Sequence, residues 1–326
     1  MLTNRLSRFI CVLAASLWFA NSLPAQERIV FGHILNEDTA HHRHLVIAGK
    51  EIARLTQDRY KLDIFPRGQI GTTDAQVIEG FATGTADMAY LSFGHLAKVY
   101  PQLAIGAGPF VFRDFAHWQT FAASDLYREL VTDMEAQLGL VSFGLAYYGE
   151  RHVTTKKPLN GLDDFKGLLI RVPNIPTMIL TFRALGAKPV PLPFKETRGA
   201  LADGIVDAQE NPLPTIKTMR FHEVTPVVNL TAHILDAQII VMSAKRWKTI
   251  PAEDQTLIRQ VLTEAAQGVT EDVRQEELAL MEGLVAEGAS LHQIDRLPLI
   301  EAMRPFHHSE YFPWGGELYE RIQALK

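Results

Sequence analysis

The sequence predicts an α/β fold of two similar lobes, each a mainly parallel sheet flanked by helices, with one long helix lying across both. Three observations predict it. Strand-like and helix-like periods alternate through the first third of the chain, the same alternation returns near residue 168, and a proline-free run of good helix formers begins near residue 251. About 300 residues follow the N-terminal apolar segment, enough for two cores.

In the first half, residues 28–34 read as a strand and residues 40–56 as an amphipathic helix. Tyr60-Lys-Leu-Asp-Ile-Phe65 alternates as a second strand and stops at Pro66-Arg67-Gly68. A helix is expected over residues 73–82, capped by Thr72 or Thr73 and stopped by Gly84, before residues 87–91 return to strand. The second half repeats the scheme, with strand at 168–172, helix at 176–185 ending at Gly186, short strand at 189–192, helix at 195–202 and strand at 205–209. In both halves a glycine ends a helix and an aspartate opens a strand three residues on, as Gly84-Thr-Ala-Asp87 and Gly204-Ile-Val-Asp207. Ordinary αβ-turn chemistry, with glycine as the left-handed cap, accounts for each instance alone. Residues 251–288 read as one or two long helices, with Gly268 and Gly283 as points of bending. Between the halves, residues 140–148 read as a strand, and no low-complexity linker divides the chain. Several crossings rather than one tether are therefore expected between the lobes, with residues 26–149 and about 236–275 in the first and 150–235 and about 276–326 in the second.

The N-terminal segment predicts export. Arg5 and Arg8 precede an apolar run over residues 9–20, and Leu23-Pro24-Ala25 follows, the layout of a signal peptide over residues 1–25 with cleavage after Ala25. The run falls short of the ~20 residues that span a bilayer, which weighs against a membrane anchor. Cys11 is the single cysteine and sits within this run, so the mature chain has no thiol for a disulfide, a metal or a nucleophile. Loss of Arg5 and Arg8 leaves 30 basic against 37 acidic residues, a net charge of −7 with neutral histidines. That balance argues against nucleic acid as a partner, and an anion must be held by locally placed cations.

Four segments carry a resemblance to a known family. They are Gly149-Glu150-Arg151, Gly167-Leu-Leu-Ile-Arg171-Val-Pro173-Asn174, the run from Leu185 to Phe194 that reads Leu-Gly-Ala-Lys-Pro-Val-Pro-Leu-Pro-Phe, and Asp207-Ala-Gln-Glu-Asn211-Pro212. Gly68-Gln-Ile-Gly71 and His233-Ile-Leu-Asp-Ala-Gln238 extend the match over nearly the whole mature chain. The sequence resembles the DctP-like substrate-binding proteins of TRAP transporters. The resemblance implies a clamshell of two α/β lobes that closes on a small organic carboxylate in the periplasm. It implies as partner a membrane permease of one small and one large subunit, and a monomeric receptor without cofactor, metal or catalysis.

The residues themselves support an arginine anchor. Arg171 sits between Ile170 and Val172 at the end of an apolar strand stopped by Pro173, where the chain emerges toward a cleft. Its planar fork can hold a carboxylate through two parallel hydrogen bonds, although pairing with a structural Asp or Glu is the alternative. The resemblance adds Arg151 as a second basic contact, with a surface arginine at a lobe crossing as its alternative. Asn211, at a strand end before Pro212, can serve a ligand oxygen or cap the next helix. Asn174 matches the family as a polar neighbour and Phe194 as an apolar wall, and core packing remains open for Phe194. His33, Ile34 and Asn36 fall where the first strand ends, a region that lines the cleft in relatives.

At Ser92 sialic-acid binders of the family carry a glutamate, and at Arg198 many relatives carry tyrosine, so Ser92 removes an acceptor while Arg198 adds a cation suited to a second carboxylate or to solvent. His41, His42 and His44 read as a polar helix face rather than a metal site, since positions 41 and 44 lack a third ligand. No Gly-x-Ser-x-Gly elbow, phosphate loop or dinucleotide fingerprint is present. Two other classes stay open: a secreted hydrolase or lyase that holds its substrate on Arg171, and a ligand sensor docking on a membrane kinase.

Overall fold

The computed structural model describes residues 26–71 and 74–326. The expected leader over residues 1–25 and the expected capping threonines 72 and 73 lie outside the described residues. The first lobe begins with β1 (Glu27–Gly32), α1 (Ala40–Leu55), β2 (Tyr60–Phe65), α2 (Asp74–Thr83) and β3 (Met88–Ser92). Strand β1 pairs in parallel with both β2 and β3. Helix α1 presents Leu45, Ala48 and Ile52 to the core at helical spacing and is capped by Thr39, whose side chain accepts from the His42 N–H. Three further helices, α3 (Phe93–Leu96), α4 (Phe115–Ala123) and α5 (Asp125–Leu138), close the lobe.

Strand β4 (Leu140–Thr155) leaves the first lobe and enters the second, where β5 (Leu169–Val172), α6 (Pro176–Ala184), β6 (Lys188–Pro191), α7 (Thr197–Ala202), β7 (Ala208–Pro212) and α8 (Leu213–Thr218) repeat the plan. Strand β5 pairs in parallel with β6 and β7. The return crossing is β8 (Val227–Ser243), followed by α9 (Ala244–Trp247), α10 (Ala252–Ala286), β9 (Ser290–His292), α11 (Leu297–His307) and α12 (Gly315–Gln323). The strands form one sheet in the order β2-β1-β3-β8-β4-β7-β5-β6, with β9 paired to β8. Each parallel triplet therefore meets an antiparallel central pair, β8 and β4, that belongs to both lobes.

The repeated glycine and aspartate have matching roles. Asp87 accepts the Val30 N–H on β1 at 2.8 Å, and Asp207 accepts the Leu169 N–H on β5 at 3.3 Å. Gly84 and Gly204 take positive φ at the helix ends before them. The last strand of this repeat begins at Ala208 rather than 205, because the turn continues through Asp207 and Ile205 is left 58% exposed. That shift places Asn211 within β7.

The long helix is one uninterrupted element of 35 residues, roughly 50 Å at 1.5 Å per residue. It packs against α1 in the first lobe and against α8 and β9 in the second. Gly268 does not interrupt it. A Cβ there would lie 2.4 Å from His44 Cε1, so glycine lets α1 approach closely. The first-lobe core also takes Phe312, Trp314 and Ile322, while Arg113 Nη1 and Nη2 hold the Gln323 and Leu325 carbonyls. The C-terminal segment from Phe312 thus packs with the first lobe rather than with the second, to which the expected division assigns about 276–326. Among the described residues no helix is long and apolar enough to cross a membrane.

The histidines of α1 are not a polar face. His41 is buried between the Tyr90 and Tyr148 rings, and burial lowers its pKa to about 3. His42 Nδ1 lies 3.1 Å from His33 Nε2, and His44 Nε2 lies 2.9 Å from Asp272.

Candidate functional site

A cavity of about 380 Å³ lies where the two parallel triplets meet the crossing strands. The first lobe supplies Ile34, Ser92, His95 and Lys98; the crossing strands supply Tyr148, Arg151, Asp236 and Gln238; the second lobe supplies Arg171, Asn174, Phe194 and Asn211. Seven expected residues therefore share one cavity: Arg171, Arg151, Asn211, Asn174, Phe194, Ser92 and Ile34.

Arg171 reaches the cavity from β5 of the second lobe. Strand β5 carries it into the interior, where it is only 2% exposed. Nε and Nη2 donate to the Leu192 carbonyl at 3.1 and 2.7 Å, and among the described residues no carboxylate lies at ion-pair distance. Burial pulls its pKa down to about 10, with Glu210 opposing that shift and Arg151 adding to it. A buried guanidinium that meets only a neutral carbonyl retains an unmet demand for negative charge.

Arg151 has the opposite status. Its Nε donates to Glu210 Oε2 at 2.5 Å, Nη1 to Asp236 Oδ2 at 2.7 Å, and Nη2 to Glu210 Oε1 at 2.8 Å and to Asn211 Oδ1 at 3.2 Å. Burial alone would lower its pKa, but the Glu210 and Asp236 charges outweigh burial and raise it. Glu210, buried with it, would be raised by desolvation, yet Arg151 and His233 bring it down to about 2. Asn211 continues the network, donating from Nδ2 to Gln209 Oε1 at 2.7 Å. It does not cap α8, whose N-cap is Pro212 without a side-chain bond.

The remaining expected residues divide. Ser92 caps α3 and contacts His95 Nδ1 at 2.8 Å. Asn174 is exposed at the rim, and Phe194 is half-buried, edge-on to Phe221. Three residues do not line the cavity. Arg198 lies on α7 and donates to Glu223 at 2.8 Å, because the helix turns it to the lobe surface. His33 is buried beside His42, and Asn36 reaches Met219 Sδ at 3.8 Å across the lobes; the strand end turns so that only their neighbour Ile34 faces inward.

Residues 95, 98, 148, 236 and 238 were not singled out from the sequence as site positions. For Asp236 and Gln238 a signal existed: two polar residues at period two within the otherwise apolar stretch 234–242 share one face. Of the larger cavities, the two of about 720 Å³ each are less suited to an anion. In one, Lys217 pairs with Glu287 and Arg220 with Glu223; in the other, Arg274 meets Glu150 and Glu277.

Two lobes, a shared pair of crossing strands and a cavity with an unpaired guanidinium define a solute-binding protein. Residues 31–312 match the model of the bacterial extracellular solute-binding protein family 7, DctP, and the chain belongs to that family. It is 29% identical over 322 residues to the sialic acid-binding periplasmic protein SiaP of Vibrio cholerae, covering 99% of each chain. It is 30% identical over 330 residues to the 2,3-diketo-L-gulonate-binding periplasmic protein YiaO of Escherichia coli, covering 98% of this chain and 97% of the relative. Among solved structures, a TRAP periplasmic solute binding protein from Pseudomonas putida F1 with bound D-glucuronate superposes with a TM-score of 0.86 at 26% identity, covering 92% of this chain and 98% of that one.

Proposed function

We propose that the protein is the periplasmic receptor of a TRAP transporter, and that it captures a small organic carboxylate, a sugar acid or another hydroxy or keto acid, on Arg171. The observation that carries this is the buried Arg171 guanidinium, free of any carboxylate among the described residues and open to the cavity. A ligand carboxylate would supply the missing charge, and the low local polarity would strengthen the pair. Arg151, already neutralised by Glu210 and Asp236, holds Asn211 in place and lends a polar wall. Binding draws the lobes together about the β4 and β8 crossings, and the closed receptor delivers its ligand to the small and large membrane subunits of a permease. Relatives named for sialic acid and diketogulonate, and the glucuronate-bound neighbour, support an acid as ligand.

The test is a thermal-shift screen with D-glucuronate, L-gulonate, 2,3-diketo-L-gulonate and succinate, followed by calorimetry on the hits. Arg171→Ala is expected to weaken binding by about 2–5 kcal/mol. Near-native affinity in that variant would defeat the assignment. One observation favours a second reading, a hydrolase: Ser92 Oγ lies 2.8 Å from His95 Nδ1. The same hydroxyl accepts the His95 N–H as a helix cap, which accounts for the contact without catalysis. Turnover of any of these acids, or of their esters, lost in Ser92→Ala would favour the hydrolase.

A further inference from the structure

Gln238 lines the cavity from β8, directly across from Ser92 on β3, its registered partner. The two side chains share the sheet face that meets the ligand. Ser92 is committed to His95, by its hydroxyl to Nδ1 and by accepting the backbone N–H. Gln238 is 5% exposed, its Oε1 has no hydrogen-bond partner, and it is the sole such buried atom among the described lining residues. A buried carboxamide left unsatisfied is costly, and interiors ordinarily pair such groups.

We propose that Gln238 is a specificity-determining residue that recognises a hydroxyl on the ligand's carbon chain, so that the receptor selects hydroxylated monocarboxylates over unsubstituted dicarboxylates. The inference rests on the carboxylate-binding reading above. A carboxamide offers both a donor and an acceptor, and a hydroxyl matches both at once. A second carboxylate offers acceptors alone, so it can engage only Nε2 and leaves Oε1 without a donor. Lys98, in the first-lobe wall, is the group that would suit a second carboxylate, but it is exposed, where solvent competes for an ammonium. The demand of the buried group outweighs the offer of the exposed one.

Calorimetry on the whole protein tests this with two probe sets: D-glucuronate, L-gulonate and D-erythronate against succinate and glutarate. The wild type is expected to prefer its best hydroxylated acid by tenfold or more, since a site built around a hydroxyl rejects ligands lacking one. Gln238→Met, similar in volume, is expected to weaken that acid at least tenfold while changing succinate less than threefold. Gln238→Asn withdraws the amide by one methylene, is milder on folding, and is expected to lose affinity in the same direction by a smaller factor. A wild type that prefers succinate or glutarate, or variants that keep the hydroxylated acid within twofold, would overturn the proposal. Arg171→Ala in the same series separates the two readings. Loss of all acids there with no effect of Gln238 leaves the receptor standing and removes this inference, whereas a wild type that binds none of the probes removes both.

Discussion

Glu277 shows how one side chain ties the long helix to the crossing strands. It is buried on α10, accepts the Glu150 N–H at 2.5 Å and meets Arg274 at 3.3 Å. Gly149 beside it takes a φ of 120°, and a Cβ there would lie 2.8 Å from Glu277 Oε1 and 2.7 Å from Pro212, so the crossing needs glycine. Burial raises the Glu277 pKa to about 7, with the Glu150 charge adding to the shift and the Glu150 N–H and Arg274 opposing it. Between pH 4.5 and 7 the folded state then binds more protons at this site than the unfolded chain, so its contribution to stability falls as pH rises through that window. Glu277→Gln keeps the acceptor and removes the titration. The melting temperature of the variant minus that of the wild type should grow from pH 5 to pH 8; a constant difference would contradict the assignment.

At the scale of the element, the contact of α1 with α10 sets two opposing effects against each other. Gly268→Ala should stabilise an exposed helix by about 1 kcal/mol from propensity alone. Here the added methyl meets the His44 ring, which is held to Asp272, and overpacking of this kind costs about 1–3 kcal/mol. Urea unfolding is expected to show Gly268→Ala as destabilising, and the same change made on His44→Ala as stabilising by ~0.5–1 kcal/mol. Stabilisation in both backgrounds would mean that the close approach is unimportant. The repeat of Asp87 and Asp207 belongs to this scale too. Each aspartate binds the backbone of the first strand of its lobe, which turns a short turn motif into a joint between strands.

For the whole molecule, the shared pair β4 and β8 is the only sheet connection between the triplets among the described strands, and register shifts interrupt it near Tyr147 and Arg151. Irregular pairing lets a strand pair bend with little loss of hydrogen bonding. Ligand-driven closure should therefore appear in small-angle scattering as a smaller radius of gyration when an acid identified by thermal shift is added at saturation. An unchanged profile would count against closure.

Periodicity alone determined the strand and helix alternation that opens each lobe and the long helix, and it put Arg171 at a strand end, because local pattern and strand ends are properties of neighbouring residues. The family resemblance brought Arg151, Asn211, Asn174 and Phe194 to notice from short segments. Tertiary structure decided what those residues can do. Arg151 and Arg171 look alike in sequence, yet Glu210 and Asp236, 59 and 85 residues from Arg151, neutralise the first and leave the second free. Arg198, His33 and Asn36 turned away for the same reason: side-chain direction and pairing depend on partners distant in the chain. The unpartnered Oε1 of Gln238 became visible only when the strand carrying it was laid beside Ser92 over a cavity. The arginine at the end of β5 was legible from one strand; its missing counter-charge was legible only from the fold.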